Sequence, residues 1–294
     1  MRCFNVRHCL VFAQKSTLEG HEPWPDAKNF GGRSLLNHDI TWHFAEIAVQ
    51  KVEYSKRNPV GYLILSMMAG AYVGVGIALI LTLGNDVDPS SQKLVMGSLF
   101  GIALTLIIFA GAELFSGHIM YMSFGYFYKR LTLVRVLTDW ILCWWGNLVG
   151  ALMLSLLVVA GNQSGWIAEE SSLVHQIAEH KMNSSILELF ARAVICNWLI
   201  CLAIWMSART KDDTAKCILI FWCLFAFVAA GFEHSIANMT VFTISLLGNH
   251  PESVTIAGGI YNLAWVSVGN VVGGAGFIGI AYYLTAVPLF GPKD

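Results

Sequence analysis

The sequence predicts an all-α membrane protein of six transmembrane helices in an inverted 3+3 repeat, with helices 2 and 5 broken. Three observations predict it. Of 294 residues, 56% are hydrophobic and 13% charged, and the mean hydropathy is +0.60, far more apolar than a soluble domain. Six apolar runs, near 61–84, 94–127, 136–160, 186–208, 217–248 and 254–286, reach the length of about 20 residues that a bilayer crossing needs. Two motifs recur at nearly one offset: Ala110-Gly111-Ala112-Glu113 returns as Ala230-Gly231-Phe232-Glu233, and Gly146-Asn147-Leu148-Val149-Gly150 as Gly269-Asn270-Val271-Val272-Gly273.

The elements follow in order. Residues 1–36 carry scattered charge, Pro23, Pro25 and Gly31-Gly32, without the apolar core of a signal peptide. They are expected to be a disordered extension or an over-long start assignment. In residues 37–57, Ile40, Phe44, Ile47, Ala48 and Val52 share one helical face, with His43, Glu46, Gln50 and Glu53 largely elsewhere. That pattern predicts an amphipathic helix along the cytoplasmic surface. Residues 58–290 are expected to form the six-helix transmembrane domain. Within it Gly70 and Gly74, Gly97 and Gly101, Gly146 and Gly150, and Gly269 and Gly273 stand at helix-packing spacing, and ordinary packing accounts for them.

Cationic residues give the orientation. Lys51, Lys56 and Arg57 precede the first run, Lys129, Arg130 and Arg135 follow the second, and Arg209, Lys211 and Lys216 follow the fourth. The opposite loops hold little beyond Lys93 and Lys181, so both termini are expected in the cytoplasm. A net charge of -1 argues against nucleic acid as a partner. Cys143, Cys196, Cys201, Cys217 and Cys223 lie in or beside the runs without a Cys-x-x-Cys pair, which predicts reduced thiols rather than a disulfide framework or zinc site.

The runs 94–127 and 217–248 are too long for one upright helix and too short for two crossings with a turn. Each has a polar centre: Glu113, Ser116 and His118 in one, Glu233, His234, Ser235 and Asn238 in the other. Lipid offers no partners to bare N–H and C=O groups, so an interrupted helix at membrane depth must border protein or a wet cavity. Three crossings per half also invert the second half relative to the first. Half-helices resuming near Ser116 and Ser235 then aim positive dipole ends inward, which suits an anion.

His234 is the leading candidate in that path, because an ionisable group at such depth is costly and histidine titrates near physiological pH. Its ring is expected to exchange a proton with a passing anion. Glu113 and Glu233 are expected to anchor the loops by accepting orphan N–H groups of the resuming half-helices. His118 is a second titratable candidate, with the pore and loop packing as its alternatives. Lys181, near Glu169, Glu170, His175, Glu179 and His180, is either a surface lysine or an anion collector. Phe100 and Phe227 stand at matched places ahead of the breaks, Leu104 one turn beyond Phe100, as candidate constrictions. Asn197 and Arg192 should face protein or cavity. A metalloenzyme using Glu113, His118, Glu233 and His234 is a competing reading, though no His-Glu-x-x-His or Glu-x-x-His spacing supports it. A neutral-solute pore is another, without the repeated Asn-Pro-Ala loops of aquaporins.

From about residue 38 to 286 the chain resembles the formate/nitrite transporter family. The resemblance rests on Ala110 to His118 and on Gly231-Phe232-Glu233-His234-Ser235-Ile236-Ala237-Asn238-Met239. Met68 to Gly74, Thr82 to Asn85, Asn197 to Met206 and the pair Gly117-His118 draw it toward the nitrite-channel branch. The resemblance implies a homopentamer of aquaporin-like protomers in a bacterial inner membrane. Each would pass nitrite, or alternatively formate and other small monoacid anions, with protons exchanged and with no catalytic activity, metal or redox cofactor. By motif, His234 would be the central histidine, and Leu114, Phe115 and Ser116 the first loop. Phe100, Leu104 and Phe227 would line constrictions, Ile200 would line the path, and Lys181 and Asn197 would tune anion access. The family usually has threonine at Ser116, so a gating role for that hydroxyl residue is in doubt here.

Overall fold

The computed structural model describes residues 32–287 apart from 163, 164 and 166, and the expected extension therefore lies largely outside the described residues. The described residues are mostly helical, with no strand among them. Helix α1 (Gly32–Arg57) leads into α2 (Pro59–Asn85), α3 (Pro89–Leu99), α4 (Gly101–Ala110), α5 (Phe115–Phe127) and α6 (Leu133–Gly161). The second half holds α7 (Leu173–Met182), α8 (Ile186–Ala208), α9 (Asp213–Ala229), α10 (Ser235–Leu247) and α11 (Ile256–Val271). A π-helical stretch, Val272–Ile280, joins α11 to α12 (Ala281–Ala286).

Five helical stretches are long and apolar enough to cross a membrane: Pro59–Asn85, Pro89–Ala110, Leu133–Gly161, Ile186–Ala208 and Ile256–Ala286. Their boundaries are written in local chemistry. Asn58 and Asp88 cap α2 and α3 with a proline at the first turn, and Thr132, Ser185, Asp212 and Thr255 cap α6, α8, α9 and α11 through side-chain oxygens.

The two interruptions fall where the sequence places them. Helix α4 stops at Gly111 (φ 75°) and α9 is followed by Gly231 (φ 73°), left-handed conformations that favour glycine. Both segments then run without helix for a few residues before α5 and α10 begin. The glycines of the Gly-Asn-x-Val-Gly helices bring backbones together: a Cβ on Gly150 would stand 1.7 Å from the Met67 carbonyl oxygen, and one on Gly273 2.2 Å from that of Val194. Gly150→Ala should therefore force α2 and α6 apart and cost about 3 kcal/mol or more, read as a lowered Tm in detergent. Gly161→Ala, with open space around it, is the control.

Candidate functional site

Each break is held by an asparagine from the helix that follows it. Asn147 of α6 accepts from Phe115 N at 2.9 Å and donates to the carbonyls of Ser66 (2.7 Å) and Glu113 (2.9 Å). Asn270 of α11 accepts from Ser235 N at 3.0 Å and donates to the carbonyls of Ala193 (2.9 Å) and Glu233 (3.0 Å). Backbone bonds Glu113 N to Leu65 O and Glu233 N to Arg192 O complete each staple. The freed peptide groups thus find partners inside the protein, as an interruption at membrane depth requires. This corrects one expectation. The glutamate carboxylates take none of the orphan N–H groups, because the loop aims them sideways at cations while the asparagines occupy the helix starts.

Those carboxylates are paired. Glu113 accepts from Lys51 Nζ of α1, and Glu233 from Lys181 Nζ of α7 at 2.8 Å. Lys51 went unnoticed in the sequence except as flanking charge; its equivalence to Lys181 appears only when α1 and α7 are seen to occupy corresponding places. One residue further inside, the halves diverge. Glu233 accepts from Asn238 at 2.6 Å, and Asn238 donates also to Asn262 at 2.9 Å. Glu113 instead meets His118 Nε2 at 2.6 Å, with Asp139 on Nδ1 at 2.6 Å. His118 is therefore engaged within the protein core rather than lining the cavities described below. Asp139 was passed over in the sequence, although its offset to Asn262 equals that of Asn147 to Asn270.

A cavity of about 400 Å³ opens on the α7 side, bordered by Gln92, Lys93, His180, Lys181, Arg192 and Glu233. Its inner end is closed by Phe100 and Phe227, whose rings meet edge to face at 5.5 Å between centroids. Beside it lies a narrow chamber of about 10 Å³ lined by Val73, Leu104, Leu114, Ile200 and Leu224, with Phe100, Phe227 and His234 shared by both cavities. His234 is buried, 6.2 Å from the Phe227 ring centroid, and neither ring nitrogen has a hydrogen-bond partner among the described residues. A buried imidazole with both polar atoms unmet is costly, which marks it as a group that waits for a guest.

The structure thus gathers Phe100, Leu104, Leu114, Ile200, Phe227 and His234 around one chamber and sets Lys181 on the cavity leading to it. Ser116 and Asn197 are buried beside it without lining it: Asn197 Nδ2 donates to the carbonyls of Asn270 (2.7 Å) and Ser116 (3.4 Å), and the Ser116 hydroxyl has no partner among the described residues. Phe115 faces a separate apolar groove between α6 and α11. Glu113 and His118 bind each other, Glu233 binds Lys181, and His234 stands apart, so the four do not converge as one ligand set.

Comparison with known proteins bears on this geometry. A family model described as formate/nitrite transporter matches residues 38–284. The chain is 48% identical over 236 residues to the nitrite transporter NirC of Escherichia coli (strain K12), covering 80% of this chain and 87% of that protein. Among solved structures, an FNT family ion channel superposes with a TM-score of 0.82 at 45% identity, covering 85% of this chain and 99% of that one. A pentameric formate channel with formate bound gives a TM-score of 0.67 at 26% identity, covering 78% and 98%.

Proposed function

Because this chain belongs to the formate/nitrite transporter family, we propose that it carries nitrite across a bacterial inner membrane, one path per protomer of a homopentamer, exchanging a proton at His234. The observation that carries this reading is the unpartnered, buried His234 in an apolar chamber at the foot of a cation-bordered cavity. An anion leaving water for that chamber loses its hydration, and receiving a proton there removes the charge that makes the loss so costly. Lys93 raises anion concentration at the mouth, while Lys181 and Arg192 offer N–H donors there from ion pairs with Glu233 and Glu188, and Phe100, Phe227, Leu104 and Ile200 keep the passage dry. Ser116 and Asn197 shape the broken loop from behind.

The six-crossing, inverted arrangement is supported by the matched stapling of the two breaks. The cationic loops support a cytoplasmic side for α1 and both termini. Nothing in this mechanism makes or breaks a covalent bond beyond the proton's own. Nitrite rather than formate is favoured by the NirC relative, while the formate-bound channel is a more distant likeness. Liposomes holding the purified protein should take up nitrite much faster than empty ones, with formate competing weakly. Equal uptake with and without protein contradicts the reading, and formate outcompeting nitrite transfers it to formate.

A further inference from the structure

The two halves staple their breaks alike yet differ in what backs the lysine–glutamate pair, and the difference is one of charge. Behind Lys181 and Glu233 stand two amides, Asn238 and Asn262. Behind Lys51 and Glu113 stand an imidazole and a second carboxylate, His118 and Asp139, both buried. Both nitrogens of His118 lie 2.6 Å from carboxylate oxygens. A neutral imidazole offers one N–H and one lone pair, whereas ionised carboxylates only accept. Two such contacts at this distance therefore require an extra proton in the cluster, on the ring or on a carboxyl.

Every polar group around the ring is consistent with a held charge. Tyr62 of α2 donates to Asp139 Oδ1 at 2.9 Å, Lys51 of α1 pairs with Glu113 and lies over the Tyr121 ring of α5, and Cys143 of α6 donates to the Glu113 carbonyl. With the proton present, two cations face two anions and the cluster is neutral. Without it the cluster carries one net negative charge beside the first break, and one of the two carboxylate contacts on His118 must open.

We propose that His118 and Asp139 are positioning residues that make the α1 side of the pathway respond to pH, admitting anions while the cluster holds its proton and opposing them when it is lost. Asn238 and Asn262 leave the α7 side without such a response. Lys51 is the cluster's contact with water, its side chain 21% exposed, against 1% for His118 and Asp139. This inference rests on the transport reading above.

The test uses single pentamers in a planar bilayer carrying nitrite current, with an N-terminal tag reporting which chamber faces α1. Making that chamber alkaline should reduce the current roughly tenfold, the effect of one unit charge acting over about 10 Å in partly wet protein, while the same change on the α7 side does much less. The double variant His118→Asn, Asp139→Asn copies the amide pair of the other half and keeps the cluster neutral at every pH. It should retain acidic-side current within about twofold and lose the sided decline. A decline of unchanged size in the double variant overturns the proposal, as does a wild-type channel whose two faces respond alike. The second of these needs no variant to fold. Absence of nitrite current at any pH would instead sink the transport reading, so the two failures are distinct.

Discussion

His234→Ala should cut nitrite flux by roughly ten- to a hundredfold and remove its dependence on pH apart from the sided decline set by His118 and Asp139. The chamber around His234 is otherwise apolar, built from Val73, Phe100, Leu104, Leu114, Ile200, Leu224 and Phe227. An anion in it has one titratable side chain to turn to. A hydrogen bond to a charged group is worth about 1.5–3 kcal/mol, and each 1.36 kcal/mol of barrier is about a factor of ten in rate. The alanine variant also relieves two unmet buried nitrogens, so its Tm should hold or rise. That combination, lost flux with intact stability, separates a working residue from a structural one. His234→Gln keeps hydrogen bonding without proton exchange, and its flux should fall while its pH profile keeps only the decline on the α1 side. Flux assays in liposomes across pH, paired with thermal melts in detergent, read both.

Asn270→Leu should be the most damaging substitution to the fold, with Asn147→Leu close to it. Each asparagine serves one backbone N–H and two carbonyls at distances of 2.7–3.0 Å. Leucine matches the branched shape and serves none of them: the Ser235 or Phe115 N–H is left unmet in either variant, and the Glu233 carbonyl too in Asn270→Leu, at about 1–3 kcal/mol each, whereas Glu113 keeps Cys143 and the Ser66 and Ala193 carbonyls keep their helical donors. A loss of about 2–6 kcal/mol for Asn270→Leu is a large part of a typical domain's stability, so pentamer yield should fall sharply. Asn270→Asp keeps the acceptor and loses the donor, and should be intermediate. Cys143→Ala deletes one weak S–H donor to the same Glu113 carbonyl and should barely register. Size-exclusion yield and Tm in one detergent rank the four.

Much of this arrangement was legible in the chain. The repeated Ala-Gly-x-Glu exposed both interruptions, because glycine after a long apolar helix and a carboxylate at that depth have few other uses. His234 is marked by its charge-bearing ring inside a break and Phe100 and Phe227 by their matched places ahead of the breaks, and all three border one chamber. What stayed hidden was pairing across long separations. Lys51 looked like a flanking charge, since nothing local says that its ammonium reaches Glu113, 62 positions on. The asparagines of Gly-Asn-x-Val-Gly were visible as a repeat, yet only three dimensions show that their amides, rather than the glutamates, close the half-helix starts. Asp139 stands one turn after Arg135, the spacing of an ordinary ion pair, yet Arg135 turns to Val52 and Ser55 and His118 takes Asp139.

Proton exchange at His234 demands a guest that can hold a proton, and ionic selectivity tests that demand most directly. Single-pentamer recordings should be made with nitrite, formate and chloride in turn at matched concentration and pH. Nitrite and formate are conjugate bases of weak acids and should carry measurable current; chloride, which cannot be protonated in water-like conditions, should carry almost none. Chloride current equal to that of nitrite, unaltered in His234→Ala, would contradict the account at its centre.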